Sequence, residues 1–254
     1  MSGGLLDGVR VLDLSRMLAG PYGSMLLADL GAEVIKIEDP KGGDPMRAMG
    51  PPFLGEGAAR ESAYFLAVNR NKRSVVLDLE RPEGQAVFHD LCGVADVVWE
   101  NFRPGVMARL GCEPAALRAR HPRLIVCSIS AFGQAGPYRD WPAFDLALQA
   151  MGGGMSLTGE DGRPPARMGL PIGDLAGGMF GALAVAGALF QRTRTGQGAA
   201  FDLALLDGQV SLLTYMAQYF WADGQVPGRV GSGHASVVPY QAFGTQDGFL
   251  VVAV

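Results

Sequence analysis

The chain has 254 residues, 48% of them hydrophobic and 18% charged, with a formal net charge of -4. That balance supplies ample material for a hydrophobic core and excludes a strongly basic nucleic-acid-binding face; the cluster Arg70 to Arg73 is too short for one, although Lys72 and Arg73 are candidates to meet a small anionic ligand. Three cysteines (Cys92, Cys112, Cys127) and three histidines (His89, His121, His234) lie without paired or metal-binding spacing, which argues against a zinc site and a disulfide framework and leads to the expectation of a cytoplasmic protein.

Residues 9–14 read as a buried strand, 15–21 as a turn, about 22–30 as a helix and 33–38 as a second strand, so the chain opens with a βαβ unit and a right-handed crossover. Ala19-Gly-Pro21 lacks the Gly-x-Gly-x-x-Gly fingerprint, which weakens an NAD reading. Residues 39–60 are rich in Gly, Pro and charge and predict a long irregular loop. Order resumes at 63–68; 74–79, 96–100 and 124–129 read as strands, with a helix begun by Pro82 and Glu83 and short helices around Val106 and Ala115. Residues 142–151 predict a helix stopped by three glycines, 201–205 a strand, 207–222 a single helix, 224–233 a linker, and 239–254 two strands around an Asp247-Gly248 turn. The alternation predicts an α/β fold: a Rossmann-like, open, mostly parallel sheet with flanking helices in a large domain, residues 1–223. A final apolar strand leads to the expectation that the chain is a fragment of a longer protein.

The stretch 168–189 places one carboxylate, Asp174, in an otherwise apolar run. Pro171 and Gly173 punctuate the approach and a buried helix follows from Leu175, which predicts Asp174 as its N-cap. There, free backbone N–H groups and the positive end of the helix dipole keep a carboxylate ionised, and an ionised carboxylate is a competent nucleophile. Plain capping is the commoner role of such a residue. Gly173, Gly177 and Gly178 each cost a helix interior about 1 kcal/mol relative to Ala, which suggests close approach by another group, either a ligand or, as Gly181 and Gly187 suggest, a packed helix. The apolar run 175–190 falls short of a membrane span and reads as a core helix, with no membrane partner.

Several stretches together resemble one family: Leu6-Asp-Gly-Val-Arg-Val-Leu-Asp-Leu-Ser15, Ala19-Gly-Pro21, Leu27-Ala-Asp-Leu-Gly-Ala-Glu-Val-Ile-Lys-Ile-Glu38, Asn69-Arg-Asn-Lys-Arg-Ser74, Glu100-Asn-Phe-Arg-Pro-Gly105 and Gly173-Asp174. They are similar to the class III CoA-transferases, a superfamily of formyl-CoA, carnitine, bile-acid and dicarboxylate CoA-transferases with α-methylacyl-CoA racemase. The run His234-Ala-Ser-Val-Val-Pro-Tyr-Gln-Ala-Phe243 resembles most the branch that moves CoA between succinate and glutarate or hydroxymethylglutarate. The resemblance implies that Asp174 carries the acyl group in a ping-pong transfer through an anhydride and an aspartyl-CoA thioester. It implies that acyl-CoA, a substrate and not a tightly bound cofactor, lies along Arg16, Met17, Ala19, Leu77, Asn101, Phe102 and Arg109, and that Gly231, Gly233 and His234 belong to a glycine-rich loop over the site. Relatives carry a cation at two positions where this chain has Asp39 and Glu80. The resemblance further implies an interlocked homodimer of the full-length protein, and makes residues 224–254 a linker and the truncated start of a smaller α+β domain.

Within the superfamily, racemases carry a His before the acid aligned with Asp145, where this chain has Phe144, which cannot remove or return an α-proton. Transferase is therefore expected over racemase, with a non-catalytic CoA-binding fragment as the remaining alternative.

Overall fold

The short runs of Val, Ile and Leu between polar turns form a parallel sheet whose central strands are buried on both faces, as parallel strands covered by crossover helices are, while its two edge strands are partly exposed. In the computed structural model, which describes residues 3–57 and 60–254, the chain runs β1 (Arg10–Asp13), α1 (Ala19–Asp29) and β2 (Glu33–Glu38). A 3-10 turn (Pro45–Ala48) and a small hairpin, β3 (Phe53–Leu54) with β4 (Glu61–Ser62), order part of the stretch expected to be irregular; its residues 58 and 59 lie outside the described ones. Then come α2 (Ala63–Asn69), β5 (Lys72–Val76), α3 (Pro82–Cys92), β6 (Val97–Glu100), α4 (Val106–Arg109), α5 (Pro114–Arg120), β7 (Ile125–Ser130), α6 (Asp145–Met151), α7 (Gly154–Leu157), α8 (Ile172–Thr195), β8 (Ala200–Ala204), α9 (Leu205–Ser211), α10 (Tyr215–Asp223), β9 (Tyr240–Gly244) and β10 (Phe249–Ala253).

Two compact units divide this chain, each discontinuous in sequence: Met1–Pro142 with Gly173–Gly208, and Ala143–Ile172 with Gln209–Val254. The sequence expectation instead drew one cut, at residue 224. In the first unit six parallel strands lie in the order β5-β2-β1-β6-β7-β8. The order reverses direction between β1 and β6, whose carboxyl ends therefore flank a crevice, the usual ligand position of an open α/β sheet. In the second unit β9 and β10 pair antiparallel about the Asp247-Gly248 turn.

Trp99 on β6 is fully buried, and its Nε1 donates to the Gly20 carbonyl at 2.8 Å. Around it α1 and α8 approach too closely for side chains. A Cβ on Gly23 would sit 2.4 Å from the Trp99 ring and 2.5 Å from the Gly178 carbonyl, and one on Gly178 would sit 2.7 Å from the Ala19 carbonyl. Gly177 likewise faces Leu205, so Gly177 and Gly178 serve packing and not ligand approach, whereas Gly187 faces open space and marks no tight helix contact.

Other expectations are corrected by the tertiary setting. The Asp174 helix starts at Ile172, so Asp174 is in the first turn and not at the N-cap. At 24 residues this helix is longer than the apolar run suggested, and by length and composition it could cross a membrane; half of its most apolar window is buried in the fold. α1 begins at Ala19 instead of about Tyr22, and the strand expected at 74–79 is shifted to Lys72–Val76 by its register with β2. The helix expected over 207–222 is two helices, parted at Thr214, whose φ of +47° no regular helix allows.

Candidate active site

Residues leaving the carboxyl ends of β1, β2, β5 and β6 enclose a cleft of ≈ 370 Å³, within the ordinary range for a small-molecule site. Leu14, Arg16 and Met17 come from β1, Glu38, Asp39 and Pro40 from β2, Leu77 to Glu80 from β5, and Asn101 to Arg103 from β6, with Val106, Arg109 and Leu110 of α4 and its end closing the wall. Asn101 ties the two central strands together: its Oδ1 accepts from the Arg16 N–H at 2.8 Å and its Nδ2 donates to the Arg16 carbonyl at 2.7 Å. The Arg16 guanidinium lies 5.3 Å from the centre of the Phe102 ring, and 3.5 Å from Asp39.

The rim carries both signs of charge. Glu80 pairs with Lys41 at 2.7 Å, while Asp39 accepts from the Lys41 backbone N–H at 2.8 Å. At the two positions where a cation was expected by resemblance, carboxylates therefore stand with cations of neighbouring residues beside them.

Beneath the cleft lies a set of buried ions. Burial opposes ionisation of Asp13, yet the Lys72 and Lys36 charges and the Ser15 and Ser24 hydroxyls outweigh it and hold its carboxyl at about 2. Burial brings the Lys72 ammonium down to about 8; its Nζ is 3.0 Å from Asp13 and donates to the Pro21 carbonyl and Asn69. Lys72 is thus spent inside the fold, which corrects the expectation that it meets an anionic ligand, while Arg73 is exposed and lies 3.0 Å from Glu33. Burial also opposes ionisation of Glu38, but hydrogen bonds from Arg47, Ser74 and the Asp44 N–H keep its carboxyl at about 2. Glu100 goes the other way. Burial at the end of β6 pushes its carboxyl up to about 7, against hydrogen bonds from Ser128 and from the Phe102 N–H at 2.7 Å.

Of the residues singled out from the sequence, Arg16, Met17, Leu77, Asn101, Phe102 and Arg109 line the cleft together. Ala19, the first residue of α1, is buried and does not line it. Asp174 is half-buried in the first turn of α8 and also lies outside the lining. Because α8 leads into the parallel strand β8, it runs against the strands and begins at their carboxyl ends, the end that holds the cleft. Gly231, Gly233 and His234 belong to the second unit: Gly231 has φ of +60° and donates to the Gly159 carbonyl, Gly233 donates to the Val230 carbonyl, and the His234 ring stacks at 5.8 Å on Tyr215 and accepts at Nδ1 from the Ser236 and Val237 N–H groups. Glu38, Asp44 and Glu100 went unnoticed in the sequence; the signal was there, since Lys36 and Glu38 are charges in a strand that should be apolar throughout. Burial pushes the pKa of all three free cysteines up, so none is a ready nucleophile. Among the described residues, no three His, Cys, Asp or Glu side chains are grouped to hold a metal ion.

Comparison with known proteins gives three consistent findings. The profile of CoA-transferase family III matches residues 6–254. A succinate–glutarate CoA-transferase of Agrobacterium fabrum is 44% identical over 251 residues, 98% of this chain and 63% of its own length, and an acetyl-CoA:oxalate CoA-transferase of Acetobacter aceti is 44% identical over 245 residues, 96% of this chain and 62% of its own. The crystal structure of a CAIB/BAIF family protein from Brucella suis superposes with a TM-score of 0.94 at 41% identity, covering 99% of this chain and 66% of that one. The chain thus spans a little under two thirds of the length of these relatives.

Proposed function

The chain belongs to CoA-transferase family III, and on that footing we propose that its protein moves CoA from an acyl-CoA thioester, succinyl-CoA foremost, to a free carboxylic or dicarboxylic acid. The observation that carries the reading is the cleft at the strand-order reversal, where Arg16, Asn101, Phe102 and Arg109 converge from separate elements on a space suited to the nucleotide end of CoA. The named relatives supply the acid class, since the Agrobacterium protein acts on succinate and glutarate and the Acetobacter protein on oxalate.

In the proposed chemistry an Asp174 oxygen attacks the donor thioester carbonyl, the C–S bond breaks, and CoA leaves as thiolate while a mixed anhydride forms. The thiolate then attacks the Asp174 carbonyl carbon, expelling the donor as a free carboxylate and leaving an aspartyl-CoA thioester. The acceptor carboxylate attacks that thioester to give a second anhydride and thiolate. Attack of the thiolate on the acceptor's acyl carbon releases the new acyl-CoA and restores Asp174. Every step exchanges one activated acyl bond for another, which a carboxylate nucleophile permits and a serine ester would not. The first turn of α8 favours the role, because the positive end of the helix dipole stabilises an anion there. The reading includes a cytoplasmic, interlocked homodimer of the full-length protein with no tightly bound cofactor.

Trapping the full-length enzyme with succinyl-CoA and hydroxylamine, followed by mass spectrometry, should place the modification on Asp174, and Asp174→Ala should lose transfer while melting as the parent does. Modification elsewhere, or an active Asp174→Ala, refutes the assignment. A panel of acids with succinyl-CoA identifies the acceptor.

A further inference from the structure

Met17 lines the cleft in a conformation that side-chain-bearing residues avoid, with φ of +67°. Such strain persists only where the surroundings over-determine it. Three side chains hold this loop. The Lys36 ammonium donates to the Ser15 carbonyl at 2.6 Å, Asn101 brackets the Arg16 peptide, and Asp44 Oδ1 accepts from the Met17 N–H at 3.2 Å. Asp44 is 1% exposed and is itself fixed: Oδ1 also accepts from Met46 N–H at 3.0 Å, Oδ2 lies 3.0 Å from the Lys36 ammonium, and its own N–H donates to Glu38 at 3.0 Å. Glu38 in turn is gripped by both ends of the Arg47 fork.

We propose that Asp44 is a positioning residue for the cleft: its buried carboxylate holds the Met17 peptide left-handed, so that Arg16 and Met17 face the ligand before it arrives. The chain from Arg47 through Glu38 and Asp44 to Met17 makes the segment after β2 a brace for the loop after β1. Preorganisation of this kind acts on affinity, because the loop need not be ordered at the moment of binding. Its consequence for binding rests on the reading of the cleft as a CoA site.

Two substitutions separate positioning from simple stability. Asp44→Asn keeps an oxygen facing Met17 N–H and removes the charge beside Lys36, whereas Asp44→Ala removes both. Both destabilise the fold, but only Asp44→Ala frees the loop. With the full chain, calorimetric titration with CoA should show Asp44→Asn within about twofold of the parent and Asp44→Ala weaker by about tenfold. Hydrogen exchange at the Met17 amide should speed up only in Asp44→Ala. Adding Met17→Gly, which adopts positive φ without steric cost, should shrink the Asp44→Ala effect on CoA binding to about twofold measured against Met17→Gly alone. If Asp44→Ala does not fold, Asp44→Ser, whose hydroxyl falls short of the amide, takes its place. Equal weakening in the Asn and Ala variants, or an undiminished effect in the Met17→Gly background, overturns the proposal. If the parent binds no CoA, the functional reading fails and the affinity claim with it; unchanged Met17 exchange across the variants overturns the brace independently of any ligand.

Discussion

Replacing Glu100 by Gln should make the protein more stable at neutral and alkaline pH. The side chain is 2% exposed at the end of β6, and its carboxyl, ordinarily near 4.5, is pushed up to about 7 because burial disfavours the charged form. Between those values the folded state holds a proton that the unfolded state has released, so stability contributed by the neutral form falls as pH rises through the window. It is fully present below 4.5 and lost once pH passes about 7. The shift corresponds to on the order of 3 kcal/mol at about 1.36 kcal/mol per pH unit. Gln is neutral at every pH and keeps an oxygen for the Phe102 N–H, which donates at 2.7 Å. Urea unfolding of parent and Glu100→Gln between pH 5 and 8 isolates this group, because all other titrations cancel in the difference. The difference should widen in favour of the variant as pH rises. A difference that stays flat, or a variant less stable at pH 8, would show that the Glu100 carboxylate is solvated or paired with a cation in the fold.

The other predictions concern the buried ions, the helix contact and the reaction. Lys72→Ala leaves the Asp13 carboxylate with Lys36 as its remaining cation and should cost about 3 kcal/mol in chemical denaturation near neutral pH; because the Asp13 carboxyl is then no longer held down at about 2, the variant should lose less of its remaining stability than the parent does as pH falls towards that value. Gly178→Ala and Gly187→Ala, nine residues apart on α8, should have opposite signs: the first drives a Cβ against the Ala19 carbonyl and should lower stability by about 1–3 kcal/mol, and the second points into open space and should raise it by up to about 1 kcal/mol. Phe144, 76% exposed at the start of α6, offers no imidazole, so the full-length enzyme should incorporate no α-deuterium from deuterium oxide into a 2-methylacyl-CoA; appreciable incorporation would favour the racemase reading.

The local pattern determined the class of fold, and the family resemblance named much of the wall of the cleft. Short apolar runs such as Ile125–Ser130, bounded by Gly, Pro and Asp, read as buried strands, whereas the residues after β1, β5 and β6 were named as ligand positions through the family resemblance and not by the pattern itself. A solitary Asp174 in a Gly- and Ala-rich helix stood out for the same reason, against an apolar background. What only the tertiary structure decided depends on pairs far apart in sequence. Asn101 reaches back 85 residues to Arg16, and Lys72 59 residues to Asp13, so neither side chain's role follows from its neighbours along the chain. Charged residues in β2 look out of place until the fold sets Lys36 beside Asp44, and Glu38 beside Arg47, where each desolvated charge meets its partner. The glycines of α8 are equally ambiguous in one dimension: Gly178 packs on α1 and Gly187 on nothing, a distinction made by which face of the helix the sheet covers.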